Sequence, residues 1–362
     1  MAKFGWNTKG TLSVPILESF SEWLQGQDIK ETWLRVQGGT ISQKDYNSDW
    51  KDSDVEAWGD LYAGNPTVKL VFVVNLNETP ENIEVLFNRF LAVGCKFAFI
   101  EFGNEQYLSK FRLSKDKPEV TDRTKDMTAE KYLELCAQYV PSFAGRDLAF
   151  QLAPNKGKNV DQVYDAWNST ILEATNHIPE INYTMHVYAN AGFRWELIEE
   201  VQEVIKGKFL AITEFGAADA ADGEQDELTE EEFIEMTEDV AKILSEELRE
   251  QDIAFDQVLW NPWGVPSISF ENGNLTTKGL AVFEQFKIEE EPEVPEVVEV
   301  VLETYSTNYD RTFWGAIKVT QALKFSDGTI IYNTAKVTRR GTVRGRIIGT
   351  ADIGKTIEEL KG

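Results

Sequence analysis

The sequence predicts an α/β protein: a (β/α)₈ (TIM) barrel over residues 1–287, an acidic linker over 288–304 and a small, mostly β module over 305–362. Eight short apolar runs alternate with helical patterns in the first region, which is the pattern of a closed parallel sheet. The second region is rich in Glu, Pro and Val, a composition typical of an extended, self-repelling linker. The third alternates polar and apolar residues, as strands do.

The apolar runs that we predict as barrel strands are rich in Val, Ile, Phe and Leu, as strands buried on both faces are. They cover residues 2–7, 32–37, 68–75, 96–103, 147–154, 182–189, 209–216 and 256–263. Helix-start signals lie between them. Thr79 precedes Pro80, Thr128 precedes a helical pattern, and Thr229 with Glu232 has the spacing of a capping box.

Composition and charge exclude several classes of function. The net charge is −25, and it is divided as −23 over the barrel (26 basic and 49 acidic residues), −7 over the linker (seven Glu) and +5 over the module (ten basic and five acidic residues). Because the barrel carries this much negative charge, we expect no nucleic-acid partner. No apolar run approaches the roughly 20 residues that span a bilayer, so we expect no membrane partner. With two histidines and two cysteines, we predict no zinc site, disulfide framework or cofactor.

The first ten residues, MAKFGWNTKG, lack the apolar centre of a secretory signal. We therefore expect a cytoplasmic or virion-associated protein, or an extracellular one whose signal has been removed.

Two glutamates lie at the C-terminal ends of predicted strands, where TIM barrels place their active sites. Strand four leads to Glu105 and strand seven ends near Glu214. Cleavage of a glycosidic bond requires one carboxyl group that holds a proton and another that is ionised. We therefore predict Glu105 and Glu214 as a catalytic pair. The alternative is a structural salt bridge at the rim of the barrel.

Other strand ends supply residues that would surround this pair. His186 and Tyr188 end strand six, Arg35 lies in strand two and Trp260 lies in strand eight. An arginine beside one carboxylate would keep it ionised, and that negative charge would favour the protonated form of the other. Hydrogen bonding in the core and packing at the barrel mouth are the alternatives for these residues.

Taken in order, Gly-Asn-Glu at strand four, His-x-Tyr at strand six, Thr-Glu-Phe-Gly at strand seven and Trp at strand eight resemble the motifs of clan A glycoside hydrolases. The resemblance covers residues 1–287. It implies a retaining enzyme that cleaves β-linked oligo- or polysaccharides by double displacement. By resemblance, Glu105 is the acid/base and Glu214 the nucleophile, with carboxyl groups about 5–5.5 Å apart.

The same resemblance implies the substrate-binding roles. Asn104 would hydrogen-bond the sugar 2-hydroxyl, and His186 would orient the acid/base or the sugar. Tyr188 would contact the nucleophile, Arg35 would support it, and Trp260 would form the floor beneath the reacting sugar.

Glu101 and Trp6 complete the predicted substrate-binding residues. Glu101 and Glu105 are separated by an even number of residues, so in a regular strand both side chains would point to the same face, into the barrel. Some clan members have Glu-x-Gly-Asn-Glu here, and we expect Glu101 to lie behind the site and to pair with Arg35. Trp6 ends strand one, and a flat indole suits the C–H face of a sugar. Core packing is the alternative for Trp6.

Residues 45–56 (DYNSDWKDSDVE) resemble a calcium loop, with Asp45 at position one and Glu56 at position twelve. Trp50 occupies the position where the turn requires glycine. We therefore favour a solvated or substrate-facing acidic loop and predict no metal site.

The alternative function is that of a catalytically inactive carbohydrate-binding or structural protein, for example in a phage particle, on a glycosidase-like barrel. The module, with Tyr305, Tyr309 and Trp314, would bind carbohydrate, dock a partner or extend the barrel surface. Other barrel chemistries fit less well. Strand six offers no lysine for a Schiff base, and the acidic residues 216–227 would repel phosphate.

Overall fold

The computed structural model divides the chain into two compact units, Met1–Lys287 and Ile288–Gly362. Each is described by itself. The residues that the structure describes are 2–9, 14–38, 40–43, 49–107, 127–154, 161–189, 193, 195–217, 228–257, 259, 268–286, 297–306, 316–325, 330–338 and 343–348. None of the helices described in these ranges is long and apolar enough to cross a membrane.

The first unit is a closed barrel of eight parallel strands in sequential order, with the eighth paired to the first. The strands are β1 (Lys3–Lys9), β2 (Thr32–Gly38), β3 (Val68–Val74), β4 (Phe97–Phe102), β5 (Leu148–Gln151), β6 (Ile181–Tyr188), β7 (Leu210–Gly216) and β8 (Ile253–Asp256). The predicted (β/α)₈ fold is confirmed.

A helix follows each strand. The helices are α1 (Val14–Gln25), α2 (Asp52–Gly64), α3 (Pro80–Ala92), α4 (Ala129–Tyr139), α5 (Asp161–Thr175), α6 (Glu196–Val204), α7 (Glu230–Glu247) and α8 (Thr277–Phe286). A two-stranded sheet, β9 (Phe270–Glu271) and β10 (Asn274–Leu275), precedes α8.

The predicted helix starts are confirmed. The side chains of Thr79 and Thr128 accept hydrogen bonds from backbone N–H groups in the first turns of α3 and α4. Thr229 and Glu232 form the capping box of α7. Each cap satisfies an N–H group that has no partner within its own helix.

The barrel interior has an apolar layer beneath a polar one. The apolar layer consists of Trp33, Val71, Phe99, Ala149, Ala211, Ile253 and Phe255, all buried. Because side chains alternate along a strand, residues two positions later point the same way and lie nearer the C-terminal mouth. On four strands that next residue is polar and buried: Arg35, Glu101, Gln151 and Thr213. The apolar layer therefore supports a polar site at the mouth.

Strand eight differs from its prediction, which was 256–263. The observed strand is Ile253–Asp256, whose register pairs Lys3 with Ile253 and Trp6 with Asp256. Pairing with β1 fixes this strand, and the apolar residues Val258 and Leu259 follow it. Trp260 therefore lies beyond the strand, outside the described residues.

The second unit contains a four-stranded antiparallel sheet in the order β11 (Val297–Ser306), β12 (Ala316–Phe325), β13 (Ile330–Thr338) and β14 (Val343–Ile348). β11 begins inside the predicted linker 288–304, which corrects its boundary. The sequence VVEVVLETYS has the β-branched content of a strand and pairs along its length with β12.

Candidate active site

Arg35 is the centre of the polar layer and is fully buried. Its Nε donates to Glu101 Oε2 at 2.6 Å, and its Nη2 donates to Glu101 Oε1 and Asn104 Oδ1, each at 3.0 Å. Its Nη1 donates to Glu214 Oε1 at 2.8 Å and to Asn7 Oδ1 at 3.4 Å. The protein thus satisfies every guanidinium N–H bond, so Arg35 holds other side chains in place and has no donor left for a substrate.

The charge of Arg35 is fixed by its neighbours. Burial by itself lowers the pKa of the guanidinium, but the negative charges of Glu101 and Glu214 outweigh burial and raise that pKa above its usual value. Arg35 is therefore a cation at every pH at which the folded protein would be assayed.

Glu214 lies at the end of β7 and is 3% exposed. Its Oε1 accepts from Arg35 at 2.8 Å, and its Oε2 accepts from the Tyr188 hydroxyl at 2.7 Å. Donors on both oxygens favour the ionised carboxylate.

A break in the strand register places Glu214 beside Arg35. Met185 pairs with Ile212 whereas His186 pairs with Glu214, so β7 has one extra residue at this point. Such a bulge re-aims side chains. As a result the consecutive residues Thr213 and Glu214 both reach the polar layer.

Glu105 does not continue the regular strand that the parity argument assumed. β4 ends at Phe102, and Gly103 (φ +80°) and Glu105 (φ +46°) are both left-handed. The turn, and not strand alternation, therefore aims Glu105. Its Oε1 accepts from the Tyr107 hydroxyl at 3.2 Å, and its Oε2 has no hydrogen-bond partner among the described residues.

His186 lies between the two predicted catalytic carboxylates. Its Nδ1 is 3.2 Å from Glu105 Oε1, and its Nε2 is 3.9 Å from Glu214 Oε1. Neither contact has hydrogen-bond geometry, and within the described part of the chain neither ring nitrogen has a hydrogen-bond partner. One imidazole ring therefore has a predicted catalytic carboxylate beside each of its nitrogens.

Glu101 is fully buried, and both of its carboxylate oxygens accept from Arg35, so it lies where the pairing with Arg35 was expected and not among the groups proposed to contact a sugar. Besides its two bonds from Arg35, its Oε1 accepts from Thr213 Oγ1 at 2.9 Å and lies 3.5 Å from Gln151 Nε2. It is the ion-pair partner of Arg35.

Trp6 is also corrected. It is fully buried on the outer face of β1, where its indole packs against Phe20 of α1 and Phe283 of α8. The inward residue at this level is its neighbour Asn7, which contacts Arg35. Trp6 therefore belongs to the core between strands and helices.

Four side chains that contact the predicted site residues were not predicted from the sequence: Asn7, Tyr107, Gln151 and Thr213. A usable signal existed for three of them. Asn7, Gln151 and Thr213 are polar residues within or at the end of apolar strands, and such residues are buried only with partners. Tyr107, two residues after Glu105, had no comparable signal.

No group of three or more His, Cys, Asp or Glu side chains that could hold a metal occurs among the described residues. In the calcium-like stretch, Asp45 lies outside those residues. Glu56 is exposed on α2, which begins at Asp52, so the second half of the stretch is a helix and not a loop.

No protein-family model matches the sequence, and no curated protein matches it. Similar solved structures include an endo-β-1,3-glucanase of glycoside hydrolase family 128 from Pseudomonas viridiflava (16% identity, TM-score 0.45, covering 77% of this chain and 96% of that one). They also include an endo-β-1,4-xylanase of family 10 from Gloeophyllum trabeum (13%, 0.45, 79% and 96%). A third is an oligosaccharide-binding protein of family 128 from Trichoderma gamsii (12%, 0.42, 79% and 93%). At these identities and TM-scores, no activity is transferred to this chain.

Proposed function

We propose that the barrel is a retaining glycosidase that cleaves β-linked bonds of an oligo- or polysaccharide. The observation that supports this most is the position of His186, which contacts Glu105 on one side and Glu214 on the other. Two carboxyl groups beside one buried imidazole, one after β4 and one near the end of β7, support a role in glycosidic cleavage, which uses a pair of carboxyl groups.

The surroundings of the two glutamates suit different roles. Glu214 accepts hydrogen bonds from a permanent cation and a hydroxyl, which favours an ionised nucleophile. Glu105 has one oxygen without a hydrogen-bond partner among the described residues, and this oxygen would hold the proton for the leaving group. The environment thus divides acid from nucleophile.

In the first step, Glu214 attacks the anomeric carbon while Glu105 transfers its proton to the glycosidic oxygen, and the bond between that carbon and oxygen breaks. The product is a glycosyl ester on Glu214. In the second step, Glu105 removes a proton from water, the water attacks the anomeric carbon, and Glu214 leaves as a carboxylate.

Asn104 is placed to bind the sugar. Its Oδ1 accepts from Arg35 at 3.0 Å, which fixes the orientation of the amide. Its Nδ2 has no hydrogen-bond partner among the described residues, and it would donate to the 2-hydroxyl next to the reacting carbon. Such a bond strengthens in the transition state.

The test is hydrolysis of a panel of chromogenic aryl β-glycosides and β-linked polysaccharides, with sizing of the products. We expect turnover with retained anomeric configuration, measured by NMR, and covalent labelling of Glu214 by a 2-deoxy-2-fluoro glycoside. An inverted product would contradict the mechanism. Saturable sugar binding without turnover would instead support the inactive carbohydrate-binding protein.

A further inference from the structure

Gln151, the last residue of β5, bridges the two ends of the turn that contains Glu105. Its side-chain Oε1 accepts from the backbone N–H of Gln106 at 3.2 Å, and its Nε2 donates to the carbonyl oxygen of Gly103 at 3.0 Å. One buried amide, 2% exposed, therefore holds the residues on both sides of the Asn104-Glu105 pair.

The turn needs such a bridge because its backbone is strained. Glu105 has a φ of +46°, and residues with a Cβ are disfavoured in this region unless the surrounding structure holds them there. The glycine before it is required as well. A Cβ on Gly103 would lie 2.7 Å from Gln106 Cγ and 2.9 Å from Leu76 Cδ1.

Gln151 is itself fixed from behind. Its backbone N–H donates to the Tyr132 hydroxyl at 3.0 Å, and its carbonyl oxygen accepts from Trp167 Nε1 at 2.9 Å. Both aromatic side chains are buried. The amide is thus held on a rigid strand, as the support of a strained catalytic residue must be.

We propose that Gln151 is a positioning residue that holds the acid/base Glu105 in its left-handed conformation. The proposal rests on the glycosidase function above. Loss of the bridge would displace the proton donor, whereas Arg35 would keep its hydrogen bonds to Glu101 and Glu214. Protonation of the leaving oxygen would then be impaired. Cleavage rates would therefore fall most for substrates with poor leaving groups, which depend on that proton.

The experiment compares kcat/KM for phenyl and 2,4-dinitrophenyl β-glycosides in the wild type and in Gln151→Met. We expect a fall of roughly 100-fold for the phenyl substrate, which needs the acid, and of less than about fivefold for the dinitrophenyl substrate, which does not. Gln151→Asn is the second variant. It keeps a polar amide, so folding is retained, but it is one methylene too short to reach both ends of the turn.

The matched control is Asn168→Leu. Asn168 also uses one buried amide to accept from and donate to backbone, at Ala153 N (2.7 Å) and Ala153 O (3.0 Å). Within the described part of the chain, Asn168 makes no hydrogen bond with Glu105 or its turn. Its loss should lower stability without changing the ratio of the two substrates.

A crystal structure of Gln151→Met separates this proposal from the proposed function. If the φ of Glu105 leaves the positive region in this variant, the role of Gln151 is supported. That conclusion holds even if the wild type hydrolyses no glycoside, because the absence of hydrolysis would contradict only the proposed glycosidase function. An unchanged φ, or equal losses on both substrates in an active enzyme, would overturn the role of Gln151.

Discussion

Two buried ionic clusters lie at the C-terminal end of the barrel, and they differ in charge balance. The Arg35 cluster, inside the barrel, sets one cation against the carboxylates of Glu101 and Glu214. The Lys278 cluster lies outside β8, where Lys278 of α8 pairs with Asp256. Ser269 donates to Asp256 and accepts from Lys278 at 2.9 Å.

The difference shows which cluster is structural. Among the described residues, the Lys278 cluster holds one positive and one negative charge, with its members 2% exposed or less. In the same part of the chain, the Arg35 cluster holds one cation and two carboxylates, and Glu214 also lies 3.9 Å from His186. An unbalanced buried charge is costly and is most often found where chemistry uses it. This difference supports the proposal that the first cluster serves catalysis and that the second anchors α8.

The largest expected effects come from breaking each cluster in turn. Glu214→Ala should lower kcat/KM by more than about 10⁴-fold, because the nucleophile is lost. Its free energy of unfolding should change by no more than about 1 kcal/mol, since Arg35 remains paired with Glu101. Aryl-glycoside kinetics and urea unfolding measure the two quantities.

Lys278→Met should give the opposite result. It leaves the Asp256 carboxylate buried without its cation, which should cost about 3–5 kcal/mol of stability. The kcat of the remaining folded enzyme should stay within roughly twofold, because Lys278 lies on α8 outside the barrel, whereas Arg35 and Glu214 lie inside it. If Glu214→Ala unfolded the protein and Lys278→Met abolished turnover, the assignment of the two clusters would be reversed.

A smaller effect is expected from Glu101→Gln, which removes one negative charge from the Arg35 cluster and keeps the nucleophile Glu214. In Glu101→Gln, Arg35 pairs with Glu214 alone. The carboxylate of Glu214 is then more easily ionised and less reactive. We expect kcat/KM to fall by roughly 100-fold and the acid limb of its pH profile to move to lower pH.

Glu101→Asp is the control for this prediction, since it keeps the charge. The acid limb of the kcat/KM pH profile of Glu101→Asp should lie at the same pH as that of the wild type, even if kcat/KM itself falls. An acid limb that moves to higher pH in Glu101→Gln would show that Glu101 does not share Arg35 with the nucleophile.

The barrel and the order of its site residues could be predicted because their signals are local. Apolar runs define the strands, and caps such as Thr79 and Thr229 define the helix starts. Strand parity predicted the inward direction of Glu101, since β4 is regular up to Phe102, and the family resemblance added its pairing with Arg35.

Backbone irregularities could not be predicted in the same way. The bulge at Thr213 and the left-handed turn at Glu105 leave no periodic trace in the sequence. β8 has only four residues, so the apolar stretch that follows Asp256 was the stronger strand signal. Gln151 belongs to no motif. Its proposed role depends on the contact between its side chain and the turn after β4, which forms only when β4 and β5 pair in the folded barrel.

A third prediction perturbs the Arg35 cluster without changing any charge. A Cβ added at Gly38 would lie 1.5 Å from Asn7 Oδ1 and 2.8 Å from Arg35 Nη1. Gly38→Ala must therefore displace the Asn7 amide and the guanidinium. We expect a loss of about 1–3 kcal/mol in stability and of about 10- to 100-fold in kcat/KM.

Gly26→Ala is the matched control, because its added Cβ would meet no atom closer than 3.4 Å. It should leave both quantities at wild-type values. Wild-type kinetics in Gly38→Ala would mean that the position of Arg35 is not critical for turnover, and the Arg35 cluster would then be as structural as the Lys278 cluster.

The smallest expected effect comes from comparing two tyrosine hydroxyls, that of Tyr188 in the candidate site and that of Tyr183 outside it. Tyr188 donates to Glu214 Oε2 at 2.7 Å, whereas the Tyr183 hydroxyl contacts Thr175 Oγ1 at 3.0 Å. Tyr188→Phe removes a hydrogen bond to a charged group and should lower kcat/KM by about 10-fold. Tyr183→Phe should cost about 1 kcal/mol of stability and leave kcat/KM unchanged. Equal kinetic losses in the two variants would show that the Tyr188 hydroxyl has no specific effect on the nucleophile.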